Sequence, residues 1–266
     1  MRIERIRLAG GFINDVYLVS EVNRRVVEKK YAGDEKVGKE RGERMRREAL
    51  ALRCFYPREI APQLFFKDNN FLWQEFVEGN NLEEVLCNLN DNKQKTKLFL
   101  KLGEVLRNIH TPVRRSPLYL QEDLEKKWQT ALEEVKGGKH FDISRVTLRE
   151  IDWDEVFRRG TTRVHRDFWP GNVIITVGGK IKVIDWELAG IGSSYEDFAI
   201  LELWTFPGHS DEVISAFWTG YREWPNKEVT LAFLQRRLIQ FLATYRGEDP
   251  IGFYEDKWRL LLELSQ

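Results

Sequence analysis

The chain is short of several things that would each point to a class of protein. It has two cysteines and four histidines in 266 residues. Cys54 and Cys87 match no metal-binding spacing, and with no secretion signal they read as buried free thiols rather than a disulfide. Net charge is also missing, since 42 basic residues meet 42 acidic ones. That balance provides no general field to attract nucleic acid or an anionic membrane. No apolar run approaches the roughly 20 residues that span a bilayer. The opening Met1-Arg2-Ile3-Glu4-Arg5-Ile6-Arg7 alternates charged and apolar side chains, the pattern of an edge strand and not of a signal peptide. Internal repeats and low-complexity tails are lacking too. The expectation is a cytoplasmic protein with neither a nucleic-acid nor a membrane partner. With 42% hydrophobic and 12% aromatic residues, the chain has material for a real core, as one large domain or two modest lobes around a cleft.

The informative stretch is Val164-His165-Arg166-Asp167-Phe168-Trp169-Pro170-Gly171-Asn172, followed by Ile184-Asp185-Trp186-Glu187. Between the two lie the apolar runs Val173 to Val177 and Lys180 to Ile184, joined by Gly178-Gly179, a hairpin signal. A hairpin there folds Asp185 back beside Asn172, so that oxygen ligands converge on a small volume. Such ligands suit Mg²⁺, which keeps several waters and binds substrate phosphates. Asp167 remains to orient or deprotonate a hydroxyl nucleophile. Together these are the parts of phosphoryl transfer.

His165-x-Asp167-x-x-x-x-Asn172 with Asp185-x-Glu187 resembles the aminoglycoside phosphotransferase and choline kinase family, small-molecule relatives of the protein kinases. The Phe-Trp-Pro-Gly-Asn continuation, and Asp-Trp-Glu in place of Asp-Phe-Gly, favour the small-molecule branch. The resemblance implies an α+β, bilobal, protein-kinase-like fold. Residues 1–78 would form a nucleotide-binding lobe, an antiparallel sheet with one helix. Residues 79–266 would form a larger, mainly helical catalytic and acceptor-binding lobe. It further implies ATP and Mg²⁺ as cofactors, Asp167 as the catalytic carboxylate, and Asn172 and Asp185 as metal ligands. Glu187 is a further ligand or an outer neighbour of the metal.

Within the first lobe, Gly10-Gly11 lies between two alternating runs, where a Gly pair lets backbone amides approach phosphates. It is not a Gly-x-Gly-x-x-Gly loop. Arg25 to Tyr31 reads as a strand holding two adjacent lysines. Strand period puts Val27 and Lys29 on one face, with Glu28 and Lys30 on the opposite, polar one. A nucleotide cleft needs an apolar residue against the base and a lysine two residues on, which selects Lys29. Glu35 to Phe55 reads as a helix whose stripe is Met45, Ala49, Leu52 and Phe55. Glu48 borders that stripe and is the candidate partner of Lys29 in a kinase-type Lys–Glu pair. The family's hinge falls near Glu78-Gly79, with backbone groups from Glu75 to Val77 at the adenine edge.

Beyond Gly79 the pattern is helical, with expected helices at Leu82–Leu89, Gln94–His110, Gln121–Val135, Thr147–Phe157, Glu212–Tyr221, Val229–Tyr245 and Tyr254–Leu264. His110 reads as structural. Asp197 is expected to tie its loop to a helix N-terminus. The clustered aromatics around Phe217, Trp218, Tyr221 and Trp224 read as core or cleft wall. Two other functions compete with small-molecule phosphotransfer. The His-Arg-Asp spelling suits a protein kinase, but about a dozen residues separate Asp185 from Asp197, too few for a long activation segment. A nucleotide binder without chemistry would not need every catalytic position filled. The acids Glu122, Asp123, Asp152, Asp154, Glu202 and Asp211 either line an acceptor pocket or are solvated helix faces. Aminoglycoside, amino alcohol, sugar and glycated amine all stay open as acceptors.

Overall fold

The computed structural model describes residues 4–8, 14–21, 24–31, 38–114, 117–138, 140–245, 247–249 and 252–266. The chain forms two compact units. The first comprises Met1–Ile109, His165–Gly190 and Ser210–Arg222, and the second His110–Val164, Ile191–His209 and Glu223–Gln266.

In the first unit, β1 (Glu4–Arg7), β2 (Asp15–Glu21), β3 (Arg24–Lys30), β4 (Leu64–Lys67) and β5 (Phe71–Glu75) form a five-stranded antiparallel sheet. Its order is β1-β2-β3-β5-β4, which makes the alternating N-terminal segment an edge strand. β3 is central, and Lys29 stands between Val16 of β2 and Leu72 of β5. Helix α1 (Gly38–Phe55) buries Met45, Ala49, Leu52 and Phe55, the stripe its period predicts. The opposite face of β3 is less simply solvated than the alternation suggests. Glu28 is buried there, accepting from Arg5 and from the Trp73 indole.

A second antiparallel sheet joins β6 (Gly79–Asn81), β8 (Val173–Thr176) and β9 (Ile181–Val183) in the order β6-β8-β9. Helix α2 (Leu82–Asn88) starts where the Asn81 side chain accepts from the Glu84 amide at 2.8 Å, an N-cap. Helices α3 (Asn92–Ile109) and α7 (Asp211–Tyr221) pack closely because each presents a glycine. A Cβ on Gly103 would lie 2.0 Å from the Phe217 carbonyl oxygen, and one on Gly220 would lie 1.9 Å from that of Leu100. Phe217, Trp218 and Tyr221 of α7 are buried core, whereas Trp224 is exposed.

The second unit contains α4 (Pro117–Gly138), α5 (Trp153–Arg159), β7 (Thr162–Val164), α6 (Tyr195–Ile200), α8 (Lys227–Leu242) and α9 (Phe253–Glu263). The strand β10 (Gly190–Gly192) precedes α6, which runs on as a π-helical turn over Leu201–Thr205. Helix α8 packs against α4, α6 and α9.

Two sequence expectations are corrected. Thr147–Phe157 is not one helix, because residues 147–152 are irregular and α5 begins only at Trp153. The buried Gln235 amide takes over that backbone, accepting from Arg149 N–H at 2.8 Å and donating to the Thr147 carbonyl at 3.0 Å. Asp152 then caps α5 by accepting from Glu155 N–H. Asp197 stands in the first turn of α6, and its carboxylate meets His110 Nε2 at 2.8 Å, both side chains buried. The cysteines are free but not deeply buried, Cys54 being half-buried and Cys87 exposed.

Candidate active site

The site grows from the β8–β9 hairpin. Its register sets Val173 opposite Val183, and the next pairing, Ile184 N–H to the Asn172 carbonyl at 2.9 Å, keeps the two chain ends together. Asp185 follows in the left-handed region at φ 61°, an uncommon conformation for a residue with a Cβ. Its neighbour Trp186 holds it there. That indole is fully buried, stacks on Phe55 of α1 at 4.7 Å, and donates to the Val183 carbonyl at 2.8 Å. Trp186 thus fills the anchoring position in Asp-Trp-Glu, and the two acids beside it are aimed by its packing.

Asp167 sits in the loop before the hairpin. The Asn172 amide donates to both its carboxylate, at 2.7 Å, and its carbonyl, at 3.0 Å. The loop turns at Arg166, also left-handed at φ 67°, whose guanidinium reaches the Leu188 carbonyl. His165 is buried, with both ring nitrogens engaged. Nδ1 accepts from Asp167 N–H at 3.2 Å, which assigns the Nε2 proton to the contact with the Ile184 carbonyl at 3.1 Å. The imidazole therefore ties the Asp167 loop to the residue preceding Asp185.

Lys29 reaches the same place from β3. Its ammonium lies 2.9 Å from Glu48, 2.5 Å from Asp185 and 3.5 Å from Glu187. Lys30, one residue on and on the opposite face, is exposed. Glu48 is fully buried and also accepts from the Tyr31 hydroxyl. Glu48, Asp185 and Glu187 each bring a carboxylate oxygen within 4.8 Å of the others. Burial alone would lower the Lys29 pKa, but Glu48 and Asp185 outweigh it and hold the ammonium well above the usual lysine range. For Asp185, burial pulls upward and Lys29 pulls further down, so its carboxyl stays below the ordinary value. Burial pushes the Glu48 carboxyl up, because one ammonium has three carboxylates to serve. Asp185 is also the most open of the three, with 39% side-chain exposure against 0% for Glu48 and 9% for Glu187.

Glu75 and Val77 lie at and just past the end of β5, where the Glu75 carboxylate takes Lys182 at 2.6 Å and accepts from the Gln63 backbone N–H at 3.0 Å. Gly10 and Gly11 lie outside the described residues. Sequence reasoning passed over three members of the cluster. Asn14 is buried and donates to Glu187 at 2.5 Å. Tyr31 lies two residues beyond Lys29, on the same strand face. Arg44 lies one helical turn before Glu48 and comes within 3.9 Å of Glu187. The spacings of Tyr31 and Arg44 were the available signals, since i+2 on a strand and i−4 on a helix share a face.

The phosphotransferase enzyme family model matches residues 4–233. The chain belongs to that family. Among solved structures, it is similar to the choline kinase LicA from Streptococcus pneumoniae, with a TM-score of 0.65 and 16% identity, covering 99% of this chain and 92% of that one. It is also similar to a Plasmodium vivax ethanolamine kinase, at TM-score 0.66 and 17% identity over 99% and 81% of the two chains. A third neighbour, the ADP-bound aminoglycoside phosphotransferase APH(2'')-Ib, has TM-score 0.64 and 14% identity over 98% and 93%. These likenesses show a shared kinase-like fold. No curated protein sequence matches the chain. Among the described residues, no helix of this phosphotransferase is long and apolar enough to cross a membrane.

Proposed function

We propose that this phosphotransferase moves the γ-phosphoryl group of ATP, with Mg²⁺, to a hydroxyl of a small molecule. The observation that carries the reading is the meeting of Lys29, Glu48 and Asp185 within hydrogen-bond distance, from a strand, a helix and a hairpin end far apart in sequence. A buried Lys–Glu pair beside a third, more open carboxylate is what phosphate pairing and metal binding require.

The donor set fits a magnesium ion. It consists of oxygens only, from Asp185 and the Asn172 side chain, with Glu187 adjacent. Three clustered carboxylates against the Lys29 ammonium and the more distant Arg44 guanidinium still leave negative charge for a divalent cation to balance. When bound, the metal neutralises phosphate charge and fixes the geometry of the transferring group. The chain's own residues do the rest. Lys29 pairs the phosphates and Glu48 keeps its ammonium extended along the site. Asp167, held by the Asn172 amide, orients the acceptor hydroxyl and takes its proton at the carboxylate. Asn172 thereby joins the position of the base to that of the metal. Backbone amides at Gly10 and Gly11 meet the phosphates, and the backbone at Glu75 to Val77 meets the adenine edge. Residues 1–78 supply the nucleotide-binding part, and 79–266 the catalytic and acceptor-binding part. The protein works in the cytoplasm.

The similar structures include kinases of choline and ethanolamine and an aminoglycoside phosphotransferase. They support an acceptor that carries both a hydroxyl and a cationic nitrogen. A protein substrate is disfavoured by the stretch after Asp185. It runs through a 3₁₀ turn at Trp186–Leu188 and β10 directly into α6 at Tyr195, leaving no long activation segment. ADP release with MgATP across aminoglycosides, amino alcohols, sugars and fructosamines tests the proposal, with Asp167→Asn as control. Turnover with one acceptor class that disappears in Asp167→Asn is expected. Equal turnover by the variant would remove Asp167 from the mechanism, and absence of nucleotide binding would overturn the function.

A further inference from the structure

Asn14 has no role in the reading so far. It immediately precedes β2, at the exit of the Gly10-Gly11 segment, and β2 in turn places Val16 against Lys29. Its side chain is buried, with 7% exposure, and Nδ2 donates to Glu187 Oε2 at 2.5 Å. Glu187 is as buried as Asn14 and is 173 residues away in sequence. On its other oxygen, Glu187 has the Arg44 guanidinium at 3.9 Å. Lys29, its nearest ammonium, is closer to Glu48 and to Asp185 than to Glu187. Glu187 is therefore the carboxylate of the trio whose cations stand farthest off, and the neutral Asn14 amide is closer to it than either, at 2.5 Å.

We propose that Asn14 is a positioning residue that acts through Glu187, fixing one oxygen of that carboxylate beside Lys29 and Asp185. The inference rests on the phosphotransferase reading above. The chemistry favours an amide for this task. A lysine or arginine at Asn14 would compete with the metal for Glu187 by neutralising it. A carboxylate would repel it. An amide orients one oxygen of Glu187 and leaves its full negative charge available to the cation. Partners that orient a ligand or its neighbour commonly change metal affinity about 10–100-fold when removed.

A double-mutant cycle tests this, using the full chain and ADP as probe. Calorimetry would give ADP affinity in EDTA and across a Mg²⁺ titration for wild type, Asn14→Ala, Glu187→Ala and the double variant. Melting temperature without nucleotide would check folding. Asn14→Ala is expected to weaken the Mg²⁺-dependent gain in ADP affinity on the order of 10-fold and to leave affinity in EDTA unchanged. In the Glu187→Ala background the same substitution should have no further effect, because its partner is gone. Asn14→Ser, which keeps a shorter donor, replaces Asn14→Ala in the cycle if the alanine variant does not fold. Additive losses, or an equal loss in EDTA, would overturn the coupling and make Asn14 a packing residue. A wild type whose ADP affinity ignores Mg²⁺ would instead overturn the metal-dependent reading itself, and this proposal with it.

Discussion

Replacing Lys29 with methionine removes the one ammonium at the centre of the cluster and keeps an apolar stem of similar length. The Lys29 side chain is 6% exposed and its partner Glu48 is 0% exposed, so the pair lies out of reach of water. Removing one member of such a pair costs about 3–5 kcal/mol, because the surviving charge stays buried without its partner. Here the survivor keeps the Tyr31 hydroxyl but also faces two other carboxylates. An unfolding entropy of about 2.1 cal/mol/K per residue gives a chain of 266 residues about 0.56 kcal/mol/K near its melting temperature. Lys29→Met should therefore lower the melting temperature by about 5–9 °C. Glu48→Gln should cost less, since it leaves Lys29 still paired with Asp185 and Glu187. The double variant should recover part of the Lys29→Met loss, because it leaves no orphaned charge at Glu48. Thermal melts of the four proteins without nucleotide measure all three differences. A Lys29→Met melting point within a degree of wild type would refute the reasoning, as would a double variant that loses the sum of the single losses.

Asp185→Asn should lower turnover by at least about 100-fold, the scale for removing one aimed electrostatic contact, and abolish Mg²⁺-dependent tightening of ADP binding by calorimetry. In the second unit, the acid limb of stability should depend on Glu155. Burial raises its carboxyl pKa, but bonds from Tyr195, Arg158 and Arg159 outweigh that and bring it below the ordinary value. A depressed carboxyl contributes stability above its unfolded pKa of about 4.3 and loses it as pH falls through the lower folded value. Urea melts should thus show a constant deficit of Glu155→Gln above about pH 5, shrinking as pH drops below about 4. Its partner Tyr195, pushed up to about 12 by burial, stays protonated throughout that range. Gly103→Ala or Gly220→Ala should each destabilise by about 1–3 kcal/mol or more, since the new methyl meets a backbone carbonyl of the facing helix rather than a movable side chain. Normal melting of either variant would contradict the close α3–α7 packing.

The sequence by itself determined what depends on neighbours along the chain. Strand period separated Lys29 from Lys30, helical period set the buried stripe of α1, and a Gly-Gly hairpin returned Asp185 to Asn172. The motif from His165 to Glu187 likewise named the chemistry, because the residue types of phosphoryl transfer sit there within a single loop and hairpin. Other features depended on partners remote in sequence. Gln235 took the backbone of residues 147–149 away from a helix, and His110 became the buried partner of Asp197. Local patterns carry no record of such competitors, since a side-chain amide or carboxylate binds whichever polar group packing brings to it. Glu48 could be ranked from its helix but not shown to be buried against Tyr31. Arg44 could be put on the face of Glu48 by helical spacing, but nothing local placed Asn14 at Glu187. The cluster's electrostatics were likewise a tertiary result. Three carboxylates around one ammonium become a shared pKa problem only when a strand, a helix and a hairpin end bring them together and bury Lys29, Glu48 and Glu187.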